Sequence, residues 1–585
     1  MGKITKNTSY NLSHGFFLTG FLLLSLIFFT VSLASILFLF GISINLLTFA
    51  IACILAFIST YFVALKFLSS NQITIITAFI ASILIFSFSL FINSATMETT
   101  WDGNWYHKTA IGMLKNGWNP TRESAVEFYD SVKNPIKTPR KKEQKFTYEN
   151  HYTKGIWIFS ANIYKLTNNI ETSHSVNLLI MFMVFCLLAY LLLFKLSPLA
   201  AVLTSAITVF NPVVAPQLFV NYNDGLLGLF TIANIVSLIL IVSQKDKKSF
   251  KLGFILFFMT TTLLINVKFT GLMFFFFYSA AFFVYMLASP QLRSLVVKKF
   301  ILIGFMATIF AIFIVGFSPY ISNPKNGLHP LHPLAGSGKI DIMTKNSPKE
   351  FIQDKRPLAP FIKSIFGKMN NFSYDSPEKV ELKIPFTFFE SEFIHLKAVD
   401  PRISGNGIFF SGIFLLSLAI IIIYIAKNYR TKSTEFHILL CILIPSTLIL
   451  LIFKEMWWAR YFPHLSVILT LAMYILSRQK GEIFSTLFYG IFFIGLINNC
   501  LLLGPNLENG KKIAELSTCG DISQKNEIFY RLAGDNFYGT LFNILDCRQS
   551  NPTKFKLSKM SKKFDKNKFQ NIYLVPGYLE VFYEK

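Results

Sequence analysis

Runs of roughly 20 apolar residues recur along most of this chain, each long enough to cross a hydrocarbon core of ~30 Å as a helix. Nothing constrains the fold more. Inside lipid every backbone N–H and C=O must be bonded within the protein, so such runs must be helical. Of the 585 residues, 53% are hydrophobic and only 15% charged, whereas a soluble chain carries about a quarter charged residues. The fold class expected is an all-α polytopic membrane protein with about 13 transmembrane helices and large extracytoplasmic loops. The spans fall near 16–41, 45–65, 73–93, 176–194, 199–219, 225–243, 252–266, 269–288, 300–317, 408–426, 437–453, 462–477 and 483–503. The pair meeting at Asn266–Lys268 also reads as one long broken helix. No small-residue cleavage site follows the first run and two more spans come soon after it, which suits a retained anchor rather than a signal peptide.

Sidedness comes from the basic residues. Lys66; Lys195; Lys245, Lys247, Lys248 and Lys251; Arg293, Lys298 and Lys299; Lys427, Arg430 and Lys432; and Arg478 and Lys480 fall in alternate short loops. Such loops stay in the cytoplasm, and one orientation satisfies all six groups, with the N-terminus inside and the C-terminus outside. Segments 94–175, 220–224, 318–407, 454–461 and 504–585 then face outward. The run Lys137–Lys145 breaks the bias, but long translocated loops are weak orientation signals. It reads either as a solvated face or as a contact for anionic head groups or an anionic acceptor.

The net charge of +24 does not make a nucleic-acid partner, because no basic stripe is interleaved with stacking aromatics and topology accounts for most of the surplus. Cys53, Cys186, Cys441 and Cys500 lie in or at the ends of spans and behave as small apolar residues. Cys519 and Cys547 lie in the outward tail, where a disulfide can form. No Cys/His spacing resembles a zinc site. The tail is expected to be a small extracytoplasmic α/β domain (504–585, after a transmembrane domain of 1–503), with strands at 571–575 and 578–583 flanking Pro576-Gly577.

Pumps and carriers place ionisable groups at mid-membrane. Here Asp102, Asp224, Lys268, Lys454, Glu455, Arg460 and His464 sit at the outer ends of spans instead. Four constellations stand out. In Trp101-Asp102-Gly103-Asn104-Trp105-Tyr106-His107 the aspartate can accept a proton from an attacking hydroxyl, although Trp and Tyr also anchor at interfaces for packing alone. In Asn221-Tyr222-Asn223-Asp224-Gly225, Asp224 is either a helix cap or a second acid in the same outer pocket. In Lys454–His464, Arg460 and Tyr461 suit a lipid phosphate; the alternative is an aromatic belt with a snorkelling arginine. The long loop 318–407 carries His329 and His332 as candidate contacts, then Asp400-Pro401-Arg402-Ile403-Ser404-Gly405-Asn406-Gly407. A structureless stretch that long over a membrane core is rarely mere connection.

Together these pieces resemble the GT-C superfamily of membrane glycosyltransferases, which includes aminoarabinose transferases and protein O-mannosyltransferases. The resemblance covers roughly residues 70–500 and rests on the order and shared sidedness of short motifs. Asp102 with Tyr106 and His107 resembles an acid-x-x-x-Tyr-His pattern of bacterial members; Asp224 resembles the second acidic site; Ala459-Arg460-Tyr461 resembles an Arg-Tyr element near the donor phosphate; and Asp400-x-Arg402 with Gly405-x-Gly407 resembles a glycine-rich motif. Two extra spans precede the first loop, and the second acid of an Asp-x-Asp metal motif is missing.

The resemblance implies sugar transfer from a polyprenyl-phosphate donor to a glycan, lipid or protein acceptor, with inversion, at the extracytoplasmic face of a bacterial inner membrane. Asp102 would be the base, with Asp224 supporting it; Tyr106, His107, Lys268, His329, His332, Arg402, Arg460 and Tyr461 would bind substrate. No cofactor is expected and a divalent metal is not favoured. The competing readings are a lipid-linked sugar transporter or flippase, and an outer-face polysaccharide polymerase or ligase that leans on Arg and His.

Overall fold

The computed structural model describes residues 6–136, 145–243, 247–431, 433–517, 527–532, 537–548, 556–560, 568–575 and 578–584. The basic run at 137–145 lies outside them except for Lys145. Among the described residues, eleven helices are long and apolar enough to cross a membrane, from Asn11–Leu39 to Glu482–Leu516. Two of the expected spans are instead the short apolar helices Pro198–Val209 and Pro463–Ser477. Pro198–Val209 has 12 residues, about 18 Å at 1.5 Å per residue, well short of the hydrocarbon thickness.

Local chemistry sets the ends of several helices. Asn71 accepts from the Thr74 N–H at the start of Gln72–Ser94, Asn45 from Thr48 at the start of Leu46–Val63, and Ser433 from Phe436 at the start of Thr434–Ile452. Lys247–Val267 and Thr270–Ala288 are separate helices, not one broken helix. The Gly271 N–H bonds to the Lys268 carbonyl in the turn between them. A Cβ on Gly271 would lie 1.9 Å from the Leu264 carbonyl oxygen, so this turn closes only around glycine.

The helices differ in what surrounds them. Asp224–Ser243 is buried on almost every side by protein. Gln72–Ser94 presents Ile73, Ile76, Ile80, Ile83, Leu84, Phe88 and Phe91 outward, as expected of a helix whose solvent is lipid. The main apolar core runs through the membrane helices.

A second core joins the first loop to the C-terminal segment, with Trp118, Trp157, Ile158 and Tyr164 packed among Tyr530, Leu541, Phe542 and Val581. That segment forms a four-stranded sheet ordered β2-β1-β4-β3, with β1 Glu527–Leu532, β2 Lys556–Lys559, β3 Phe569–Val575 and β4 Leu579–Glu584. β1 pairs parallel with β2 and antiparallel with β4, and β3 with β4 is the hairpin that the alternating sequence suggests. The last membrane helix runs past residue 503 to Leu516 before the sheet begins. Cys547 is buried and disulfide-bonded; its expected partner, Cys519, lies outside the described residues.

Candidate active site

Five charged side chains from five separate segments meet at one end of the helical bundle. Arg460, in a single turn of 3-10 helix just before Pro463–Ser477, is at the centre. Its Nε donates to Asp224 Oδ2 at 2.9 Å, its Nη1 to Asp400 Oδ2 at 2.8 Å and its Nη2 to Asp102 Oδ2 at 3.0 Å. Lys268, in the turn closed by Gly271, donates from Nζ to the other oxygen of Asp224 at 2.5 Å. Tyr106 donates to Asp102 Oδ2 at 3.3 Å. A guanidinium has five N–H groups, so three are engaged here and one remains on each terminal nitrogen.

Aromatic rings form the walls. The Arg460 guanidinium lies 4.5 Å from the Tyr222 ring centre, 5.3 Å from Trp458 and 5.8 Å from Tyr461, and the Lys268 ammonium lies 4.8 Å from Tyr461. Such rings hold a cation by their negative faces and keep water from screening the ion pairs. A cleft opens on the cluster, lined by Tyr106, His107, Tyr152, Thr153, Trp157, Asn223, Asp224, Val267, Lys268, Phe269, Leu334 and Arg460.

Each acid is delivered by a different device. Asp102 stands just before the widened, π-type helical turn Gly103–His107. Beneath that turn is the fully buried Glu98, whose carboxylate accepts from the Thr100 N–H at 2.9 Å, the Thr100 hydroxyl at 2.6 Å and the Asn221 N–H at 2.6 Å. Glu98 thus ties the turn bearing Asp102 to the turn bearing Asp224. A Cβ on Gly103 would lie 2.2 Å from the Glu98 carboxyl carbon, so the glycine after Asp102 is what lets the two approach. Burial pushes the Glu98 carboxyl up, against the pull of Lys108 and of its hydrogen bonds.

Asp224 opens the helix Asp224–Ser243, and the next N–H, of Gly225, donates to Gln217 Oε1 at 2.7 Å. Asp400 arrives from the far end of the 318–409 loop. Its carbonyl accepts from Trp458 Nε1 at 2.9 Å, and the loop can lie this close because a Cβ on Gly405 would sit 3.1 Å from that of Ala459. Burial raises the Asp400 carboxyl to about 6; Arg460 opposes this, and the charges of Asp102 and Asp224 add to it.

His107 accepts from Trp157 Nε1 at 2.7 Å through Nδ1, so its neutral ring carries the proton on Nε2. Burial lowers its pKa to about 3, which keeps it neutral near pH 7. The other expected contacts lie further out. Arg402 donates to Asn346 at 2.9 Å and to Asn371 at 3.1 Å and packs on Trp458 rather than touching an acid. His329 accepts from the Leu331 N–H at 3.1 Å through Nδ1, and His332 packs against His151 with ring centres 4.7 Å apart. Neither histidine touches the ion-pair cluster, although their loop reaches the cleft at Leu334. Among the described residues, no group of three or more His, Cys, Asp or Glu side chains is placed to hold a metal ion. Asp400 and Tyr222 belong to the cluster and Glu98 braces it through Thr100 and Asn221; none of the three is expected as a site residue from the sequence, although Asp400 heads the very motif that contains Arg402.

The C-terminal segment backs the first loop. Trp101 packs on Phe537, with ring centres 4.7 Å apart, and the Tyr578 hydroxyl donates to the Thr99 carbonyl at 3.2 Å. Below them the buried Lys108 is paired with Glu171, and Asn543 donates to the same carboxylate at 2.6 Å.

No protein-family model matches the sequence, and neither does any curated protein. Among solved structures, the chain is similar to the crystal structure of ArnT from Cupriavidus metallidurans bound to undecaprenyl phosphate. The identity is 10% over 86% of this chain and 97% of that one, with a TM-score of 0.45.

Proposed function

We propose that this protein is a glycosyltransferase that moves a sugar from a polyprenyl-phosphate donor to a hydroxyl of an envelope acceptor, at the extracytoplasmic face of the membrane. The observation that carries this reading is one guanidinium binding three carboxylates from three separate segments, next to a lysine and an aromatic-walled cleft at the end of a membrane bundle. An acid held in register beside cations is what acyl-free group transfer from a phosphate needs: a base for the incoming hydroxyl and positive charge for the departing oxygen.

In the proposed step, Asp102 takes the proton of the acceptor hydroxyl. Its Oδ2 already accepts from Arg460 and Tyr106, which leaves Oδ1 as the basic oxygen. The acceptor oxygen bonds to the anomeric carbon as the carbon–oxygen bond to the lipid phosphate breaks, with inversion. The electron pair leaves on the phosphate, where Lys268 and the two unengaged N–H groups of Arg460 neutralise it. Asp224 and Asp400 hold Arg460 in place, and His107 offers its Nε2–H to the sugar or phosphate. With all three carboxylates ionised against two cations the cluster is formally one charge negative, and against the pull of burial these acids hold the Arg460 guanidinium well above its ordinary range.

Asp102→Asn tests the assignment. Mass spectrometry of envelope glycolipids and glycans should show one glycosylated species in cells making the wild-type protein and none in cells making an equal amount of folded variant. An unchanged profile would sink the role of Asp102.

A further inference from the structure

The loop 318–409 carries an apolar stretch that no other described part of the protein covers. Between residues 382 and 394, the side chains of Leu382, Ile384, Phe386, Phe388, Phe393 and Ile394 are each 42–74% exposed. Apolar surface this concentrated on a loop marks a contact site, because water would disfavour it. Of the three charges within it, Glu390 is exposed and the other two are hidden. Lys383 and Glu392 pair with each other at 2.6 Å, and neither side chain is exposed. The Glu392 carboxylate also accepts from the N–H groups of Met369 at 2.7 Å and Phe389 at 2.9 Å.

The position of the stretch identifies what covers it. Lys383 Nζ also donates to the Ile408 carbonyl at 2.9 Å, two residues before the membrane helix Phe410–Asn428 begins. Phe386 lies directly on the first turn of that helix, where a Cβ on Gly412 would come within 2.5 Å of its ring. The Phe388 ring is 6.1 Å from that of Phe409. The exposed side chains therefore continue the lipid-facing surface of the span, on which Leu415, Ile422 and Ile423 are exposed too.

We propose that residues 382–394 dip into the bilayer leaflet at the site end of the bundle, their aromatic and branched side chains at the boundary between head groups and acyl chains. Phenylalanine and isoleucine suit that depth, and the exposed Glu390-Ser391 pair reaches the head groups. Asp400 follows six residues after Ile394, so the same contact fixes the loop that delivers an acid to Arg460. The membrane contact itself does not depend on the chemistry proposed for the cluster.

Photocrosslinking of the full chain in phosphatidylcholine nanodiscs tests this. p-Benzoylphenylalanine replaces Phe388 in one variant, Ile394 in a second and Lys355 in a third, the last being an exposed position flanked by the Asp354–Arg356 ion pair. The expected result is a mass shift of one phospholipid at 388 and at 394, and none at 355. Photolysis without lipid adducts at both 388 and 394, or adducts to a second copy of the chain or a soluble protein instead, would overturn the proposal.

Discussion

Replacing Asp400 by Asn removes one carboxylate from Arg460 at nearly constant shape, and its effects on stability and activity should have opposite signs. Burial holds this carboxyl at about 6 against an ordinary 3.8. The folded chain therefore keeps the proton more tightly than the unfolded chain does. The group's contribution is most favourable below the unfolded value and is lost as pH rises through about 6. Ionising it in the folded state costs about 3 kcal/mol, at about 1.4 kcal/mol per tenfold change in equilibrium. The side chain is 21% exposed, and screening by water trims this to about 2 kcal/mol.

Asparagine keeps an oxygen for Arg460 Nη1 and gives up about 1 kcal/mol for a neutral rather than a charged acceptor. The variant should thus be more stable than wild type at pH 7.5 by about 1 kcal/mol, or about 1 °C in a chain of this length. That gap should close between about pH 6 and pH 4. Transfer, in contrast, should fall, because Asp400 anchors one edge of the guanidinium. The wild-type activity should decline below about pH 6, and the variant should lack that decline. Thermal unfolding in nanodiscs from pH 4 to 7.5, beside initial rates over the same range, reads both. A variant less stable than wild type at pH 7.5, or a stability gap that ignores pH, would refute the reasoning.

Lys268→Met should weaken use of the proposed polyprenyl-phosphate donor more than turnover at saturating donor, as initial rates against donor concentration would show; equal losses in both would refute a phosphate contact. His107→Gln should leave the pH dependence between 5 and 8 unchanged, because burial holds the imidazole at about 3; a shifted acid limb would contradict its neutral role. Lys383→Met leaves Glu392 buried without its cation and should cost about 3–5 kcal/mol of stability, read by thermal unfolding. Adding Glu392→Gln should recover part of that loss.

What the sequence makes legible follows from the solvent. Lipid tolerates neither unpaired backbone nor stray charge, so the helices and the rarity of ionisable groups in them can be read directly. Asp102, Asp224, Lys268 and Arg460 stand out because each is a charge at the end of an apolar run. Asp400 is legible only as the head of a glycine-rich motif, not as a partner of Arg460, since its loop also holds Asp341, Asp354 and Asp375, and no periodicity says which of these folds onto Arg460. That choice is made by tertiary packing, through the missing Cβ of Gly405 against Ala459 and the Trp458 hydrogen bond. Glu98 escapes for a related reason: one residue-poor turn past the span, it looks like a surface acid until Gly103 and Asn221 close over it. In the C-terminal sheet, only the β3–β4 hairpin is local enough to read, while the parallel partner of β1 comes from a distant segment without clear alternation.

The geometry also changes what Arg460 is expected to do. From sequence it is the phosphate-binding cation, set against the base Asp102. In the structure it binds the proposed base Asp102 directly, together with two further acids, and three of its five N–H groups are spent on them. A guanidinium placed this way fixes the spacing of three carboxylates that would otherwise repel one another, which a lysine cannot do because its donors diverge from one nitrogen. The more exposed cation is Lys268, at 20%, with its ammonium bonded to a single carboxylate and facing the cleft. If a lipid phosphate enters there, Lys268 meets it first, and Arg460 contributes chiefly by holding Asp102 where the acceptor must arrive.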